Sequence, residues 1–101
     1  MIKIVLACQN GMSTGIIKNK IEEAAQEMNV DLEINAIGVS DLKKEASKYD
    51  LVLLAPQVRY AEKAISKELE GEADYMIIDS VDFGTMNGKN VLKKAIDKIG
   101  A

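Results

Sequence analysis

The chain has 101 residues, a net charge of −3 and a sequence pI near 4.9, with hydrophobic residues at 48%. That apolar content is too high for disorder, and the acidic balance argues against nucleic acid, whose backbone phosphates need a basic surface. One cysteine and no histidine exclude an internal disulfide and a dithiol relay, argue against zinc, and leave a thiol or a hydroxyl for any nucleophilic chemistry.

The length suits a single domain over residues 1–101. No apolar run is long enough to span a bilayer, and no signal peptide is evident, so a soluble cytoplasmic protein without direct membrane insertion is expected. The first strand is the apolar, β-branched run Ile2-Lys3-Ile4-Val5-Leu6-Ala7. Its mouth carries Cys8, followed by Gln9, Asn10, Gly11, Met12, Ser13 and Thr14. Ile16, Ile17, Ile21, Ala24, Ala25 and Met28 then recur at helical spacing over residues 13–28, and Asn29 can close that helix.

Leu32, Ile34 and Ala36 alternate with Glu33, Asn35 and Ile37, which predicts a strand near a sheet edge, ended by Gly38. Asp41 to Lys48 predicts a short helix with Leu42 and Ala46 inward. Leu51-Val52-Leu53-Leu54-Ala55 predicts a strand apolar on both faces, stopped by the only proline, Pro56. Ala61, Ala64, Ile65 and Leu69 follow a helical period toward Gly71. Tyr75-Met76-Ile77-Ile78 predicts the fourth strand, and Asp79 to Gly88 a loop. Val91, Leu92, Ala95, Ile96 and Ile99 give the last helix.

Strands alternating with helices imply right-handed βαβ units, an α/β fold with an open four-stranded parallel sheet and helices on both faces. Two doubly apolar strands read as central and one alternating strand as an edge, which the order 2-1-3-4 satisfies. The chain then reverses direction between strands one and three. Ligands of open α/β sheets bind beyond the C-terminal strand ends at such a switch point. The flanking segments are Cys8–Thr14 and the predicted loop Pro56–Tyr60.

A thiol where a loop enters a helix sits in positive potential, which favours the reactive thiolate. Backbone N–H groups there can cradle a tetrahedral anion. The bland alternative for Cys8 is a buried small hydrophobe. Gly11 allows close backbone approach, and Ser13 and Thr14 can cap the helix or hydrogen-bond a phosphate. No nucleotide-binding glycine motif is present. The tyrosine-phosphatase loop has an arginine six residues after its cysteine, a position held here by Thr14, which cannot grip phosphate as a charged fork. In the second segment, Arg59 is the only arginine and suits contact with phosphate or an acidic partner; Gln57 could reach across the crevice, and Tyr60 lies beside them. Asp79 fits a capping role better than that of a general acid.

These residues carry a family resemblance. The loop Cys8 to Thr14, the segment Leu54-Ala55-Pro56-Gln57-Val58-Arg59-Tyr60, and Ile78-Asp79 with Gly84 and Gly88-Lys89-Asn90-Val91-Leu92 together resemble the enzyme IIB components of the lactose/cellobiose/chitobiose branch of the bacterial phosphotransferase system. The resemblance spans the chain. It implies a fold similar to low-molecular-weight tyrosine phosphatases. It also implies a carrier in which Cys8 accepts a phosphoryl group from a histidine of enzyme IIA and passes it to a sugar bound by membrane enzyme IIC. The sugar would be a β-linked disaccharide such as cellobiose, chitobiose or lactose, no cofactor or metal is implied, and contact with the membrane would run through IIC. Gln9, Asn10 and Gly15 depart from the commonest loop of that family. A phosphatase-like hydrolase or arsenate reductase of similar fold and a non-enzymatic anion-binding receiver are the alternatives; Thr14 counts against the phosphatase and the lone cysteine against the reductase.

Overall fold

The computed structural model describes residues 1–8 and 12–100, with side chains outside that description at 12–14. Four parallel strands, β1 (Ile2–Cys8), β2 (Leu32–Gly38), β3 (Leu51–Leu54) and β4 (Asp74–Ile77), form one sheet in the order β2-β1-β3-β4. The expected order is therefore the observed one. Its cause is apolar content: β3 is buried throughout and β1 from Ile4 onward, whereas β2 exposes Glu33, Asn35 and Ala36 along the edge.

Side-chain alternation splits the core into two layers. Ile4, Leu6 and Cys8 of β1 face one layer with α1 (Met12–Glu27) and α5 (Gly88–Ile99), where Ile17, Ile21, Val91 and Leu92 are buried. Val5 and Ala7 face the other, with α2 (Leu42–Glu45) and α3 (Glu62–Leu69), where Leu42, Ile65 and Leu69 are buried. Helices thus cover both faces. Asn29 closes α1 as expected, in the left-handed conformation that asparagine tolerates (φ 55°).

Three segments differ from the sequence reading. Pro56–Tyr60 is not a loop but part of a 3₁₀ helix, Pro56–Ala61. Proline presets the first φ, and Val58 is pulled into the α2/α3 layer. Asp79 to Gly88 is not all loop: it holds α4 (Ser80–Gly84) and the first residue of α5. Asp41 to Lys48 is α2 flanked by two 3₁₀ turns rather than one continuous helix.

α4 forms because Asp79 caps it, its Oδ1 accepting from the amides of Val81 (2.8 Å) and Asp82 (3.3 Å), while Phe83 anchors it in the core. Asn87 caps α5 in the same way through the Asn90 amide (3.1 Å). Gly88 at the start of α5 rests on the α1 backbone at Lys20 and Ile21. No helix among the described residues is long and apolar enough to cross a membrane.

Candidate functional site

Parallel pairing carries β1, β3 and β4 to the same end of the sheet. Cys8 is the last residue of β1, in register with Gly38 of β2. The next strand ends beside it: Ala7 pairs with Leu54, and the Ala55 amide donates to the Ala7 carbonyl at 3.1 Å. The β1–β3 crevice therefore opens at Cys8, where the connection to β2 leaves along one face and the connection from β3 runs along the other.

Cys8 is 4% exposed, its side chain on the α1/α5 face with Ile4 and Leu6. The strand period and the apolar layer together fix that direction. Gln9, Asn10 and Gly11 lie outside the described residues. Met12, Ser13 and Thr14 form the first turn of α1, so the backbone after the thiol does enter a helix, while their side chains are outside the description.

Across the crevice, Gln57, Arg59 and Tyr60 all sit on the 3₁₀ helix and are exposed, with buried Val58 fixing the turn beneath them. Arg59 makes no ion pair among the described residues. The structure thus brings the second segment to the same end of the sheet as Cys8. Asp79 follows β4 and serves as a cap, as its sequence position suggests.

Several features escaped sequence reading. Ile16, Tyr60 and Val81 are large, apolar and exposed, Tyr60 at 75%. Each stands in the segment that follows the C-terminal end of β1, β3 or β4. Tyr60 and Val81 lie on short helices unseen in the sequence, whereas Ile16 lies on the predicted α1 and faces outward from it.

A second unread feature is Asp82, a buried carboxylate whose oxygens accept from Asn90 Nδ2 (2.9 Å) and Lys94 Nζ (2.8 Å). Lys94 first and Asn90 second hold its carboxyl below the usual carboxylate range, against the opposing effect of burial. Lys94 is raised in turn, chiefly by its hydrogen bond to Asp82. The network ties α4 to α5. The sequence signal was an aspartate between the apolar Val81 and Phe83, with Lys94 one helix later.

Between the 3₁₀ helix, the end of β4 and α5 lies a cleft of about 440 Å³, lined by residues including Arg59, Met76, Asp79, Ser80 and Lys94. No cluster of metal-ligating side chains occurs among the described residues. The chemistry available at this end is one thiol with a helix start behind it, one guanidinium with no ion pair among the described residues, and the carboxylate, hydroxyl and ammonium of Asp79, Ser80 and Lys94 in the cleft.

Comparison with known proteins identifies relatives of this chain. Residues 3–94 match the family model described as the PTS system lactose/cellobiose-specific IIB subunit. The oligo-β-mannoside-specific EIIB component of Bacillus subtilis is 36% identical over 101 residues, covering 95% of this chain and 94% of that protein. The solution structure of a cellobiose-specific phosphotransferase IIB component from Borrelia burgdorferi superposes with a TM-score of 0.80 at 36% identity, covering 98% of this chain and 92% of that one. A lactose-specific EIICB component of Lactococcus lactis matches 54% of this chain, at 34% identity, within 10% of its own length.

Proposed function

The chain belongs to the lactose/cellobiose-specific IIB subunit family of the sugar phosphotransferase system and is a phosphotransferase; from that premise we propose that Cys8 is the group that carries the phosphoryl. The observation that carries this reading is the position of the only cysteine, at the end of a central strand, beside the β1–β3 crevice and one short segment before a helix.

Transfer onto the chain is a displacement at phosphorus. The Cys8 thiolate attacks the phosphohistidine of enzyme IIA. The S–P bond forms, the P–N bond breaks, and the imidazole leaves with its electron pair. In the second step a sugar hydroxyl oxygen held by enzyme IIC attacks the same phosphorus. The S–P bond breaks, the thiolate departs, and the hydroxyl proton goes to a base of the acceptor component.

Such transfers depend on positioning and on stabilising spread charge. Backbone N–H groups of Gln9, Asn10, Gly11, Met12, Ser13 and Thr14 supply that stabilisation without a formal cation. Thr14 in place of arginine suits a carrier. The phosphoryl group is held, while the help that water would need to attack it is withheld until the acceptor docks.

Gln57, Arg59 and Tyr60 receive the partners, with Ile16 and Val81 exposed on segments that leave the same end of the sheet. The EIICB relative supports IIC as acceptor. The names of the relatives, which include oligo-β-mannoside, cellobiose and lactose, support a β-linked disaccharide as the sugar. Residues 1–101 act as one IIB domain in the cytoplasm and meet the membrane through IIC.

The test is reconstitution with phosphorylated IIA and vesicles bearing IIC. Sugar phosphate should form from cellobiose or lactose only when the chain is added. Formation without it, or equal formation with Cys8→Ser, would overturn the assignment.

A further inference from the structure

We propose that the cleft between the 3₁₀ helix, β4 and α5 is a subsite for a sugar phosphate. This subsite presupposes the sugar phosphotransfer role given above and adds a place on this chain for the product class. The cleft volume, about 440 Å³, falls within the roughly 300–1,000 Å³ of small-molecule sites.

Its lining divides by chemistry. The Arg59 guanidinium has no ion-pair partner among the described residues, and an arginine fork matches phosphate oxygens two at a time. Lys94 adds a second cation, held in place by Asp82 at 2.8 Å. The Ser80 hydroxyl and the Asp79 carboxylate are suited to sugar hydroxyls, which donate to one and exchange bonds with the other. Asp79 uses Oδ1 for capping, and Oδ2 accepts no hydrogen bond from the described residues. Met76, half-buried, adds apolar lining for the C–H face of a sugar ring.

The carboxylate decides the ligand class. A bare phosphate would meet Asp79 as a like charge, whereas a sugar phosphate places its phosphate on Arg59 and its hydroxyls on Asp79. The cleft opens beside Pro56, directly after β3, so it lies roughly one to two strand spacings, about 5–10 Å, from the end of β1.

The experiment is residue-resolved NMR of the isotope-labelled chain titrated with glucose 6-phosphate, glucose and inorganic phosphate. Glucose 6-phosphate should shift the amides of Arg59 and of Met76 through Ser80, saturably and at lower concentration than inorganic phosphate, while glucose alone gives no saturable shift there. Arg59→Gln, with an otherwise unchanged spectrum, should weaken the glucose 6-phosphate response about tenfold, the loss expected for a hydrogen bond to a charged group. Shifts confined to residues 8–14, equal affinity for inorganic phosphate, or an unaffected Arg59→Gln would overturn the subsite. Labelling of Cys8 in the unsubstituted chain is read separately: normal labelling with an empty cleft removes only the subsite, and an occupied cleft without labelling removes only the carrier reading.

Discussion

Gly88 rests against the backbone of Lys20: the space a side chain would need is already filled by the Lys20 carbonyl and the Ile21 amide nitrogen. That contact sets how closely α5 approaches α1, the helix that begins just after Cys8.

Gly88→Ala should therefore destabilise by overpacking. The neighbours are backbone and cannot swing away, so a cost of about 1–3 kcal/mol is expected in urea unfolding. Gly15→Ala is the contrast. It lies in α1 with open space around it, so alanine should stabilise by roughly 0.5–1 kcal/mol through helix propensity. Equal effects at the two sites would refute close packing at Gly88.

Asp79→Ala should remove the cap of α4 and cost about 1 kcal/mol, while Asp79→Asn, which still accepts from the same amides, should cost much less. Thermal melts of the two variants separate capping from charge. An Asn variant as unstable as Ala would show that the hydrogen bonds are not the cause.

The Asp82–Lys94 pair gives a pH signature. The Asp82 carboxyl is depressed in the folded chain, so its stabilisation is complete above the ordinary carboxylate value and disappears as pH falls through the folded value, below about pH 4. Lys94→Gln should thus lower the urea midpoint at pH 7 and lower it less at pH 3. A shift independent of pH would mean that Lys94 acts through packing alone.

The sheet was legible because its signals are strong. β3 is apolar at every position, and β2 interposes Glu33 and Asn35, which separates centre from edge. The place of Cys8 at the end of β1 was legible because the apolar run stops there, and the strand order puts it beside the β1–β3 crevice. The short helices were not. α4 has five residues and the turn at Pro56–Ala61 has six, too few for a period to emerge, and both exist because of a cap, a proline and one buried anchor each. Since Val81 and Tyr60 lie on these elements, the outward exposure of both side chains went unread along with them. Gly88 read only as the end of a loop, because a contact with Lys20 across the core has no local trace.

Arg59→Ala should slow phosphorylation of Cys8 by enzyme IIA, most strongly at low salt. The side chain is exposed on the 3₁₀ helix, and a charge at an interface rim acts mainly on encounter rate. The melting temperature should be nearly unchanged, since Val58, not Arg59, anchors the turn. Early melting with a normal transfer rate would make Arg59 structural.

The carrier role of Cys8 is tested most directly by intact mass after incubation with phosphorylated enzyme IIA, followed by peptide mapping. The expected result is a mass increase of one phosphoryl group, located on the peptide containing Cys8 and abolished by Cys8→Ser, whose hydroxyl is a weak nucleophile without an adjacent base. A phosphoryl group found on any other residue, or labelling of Cys8→Ser at the unsubstituted rate, would contradict it.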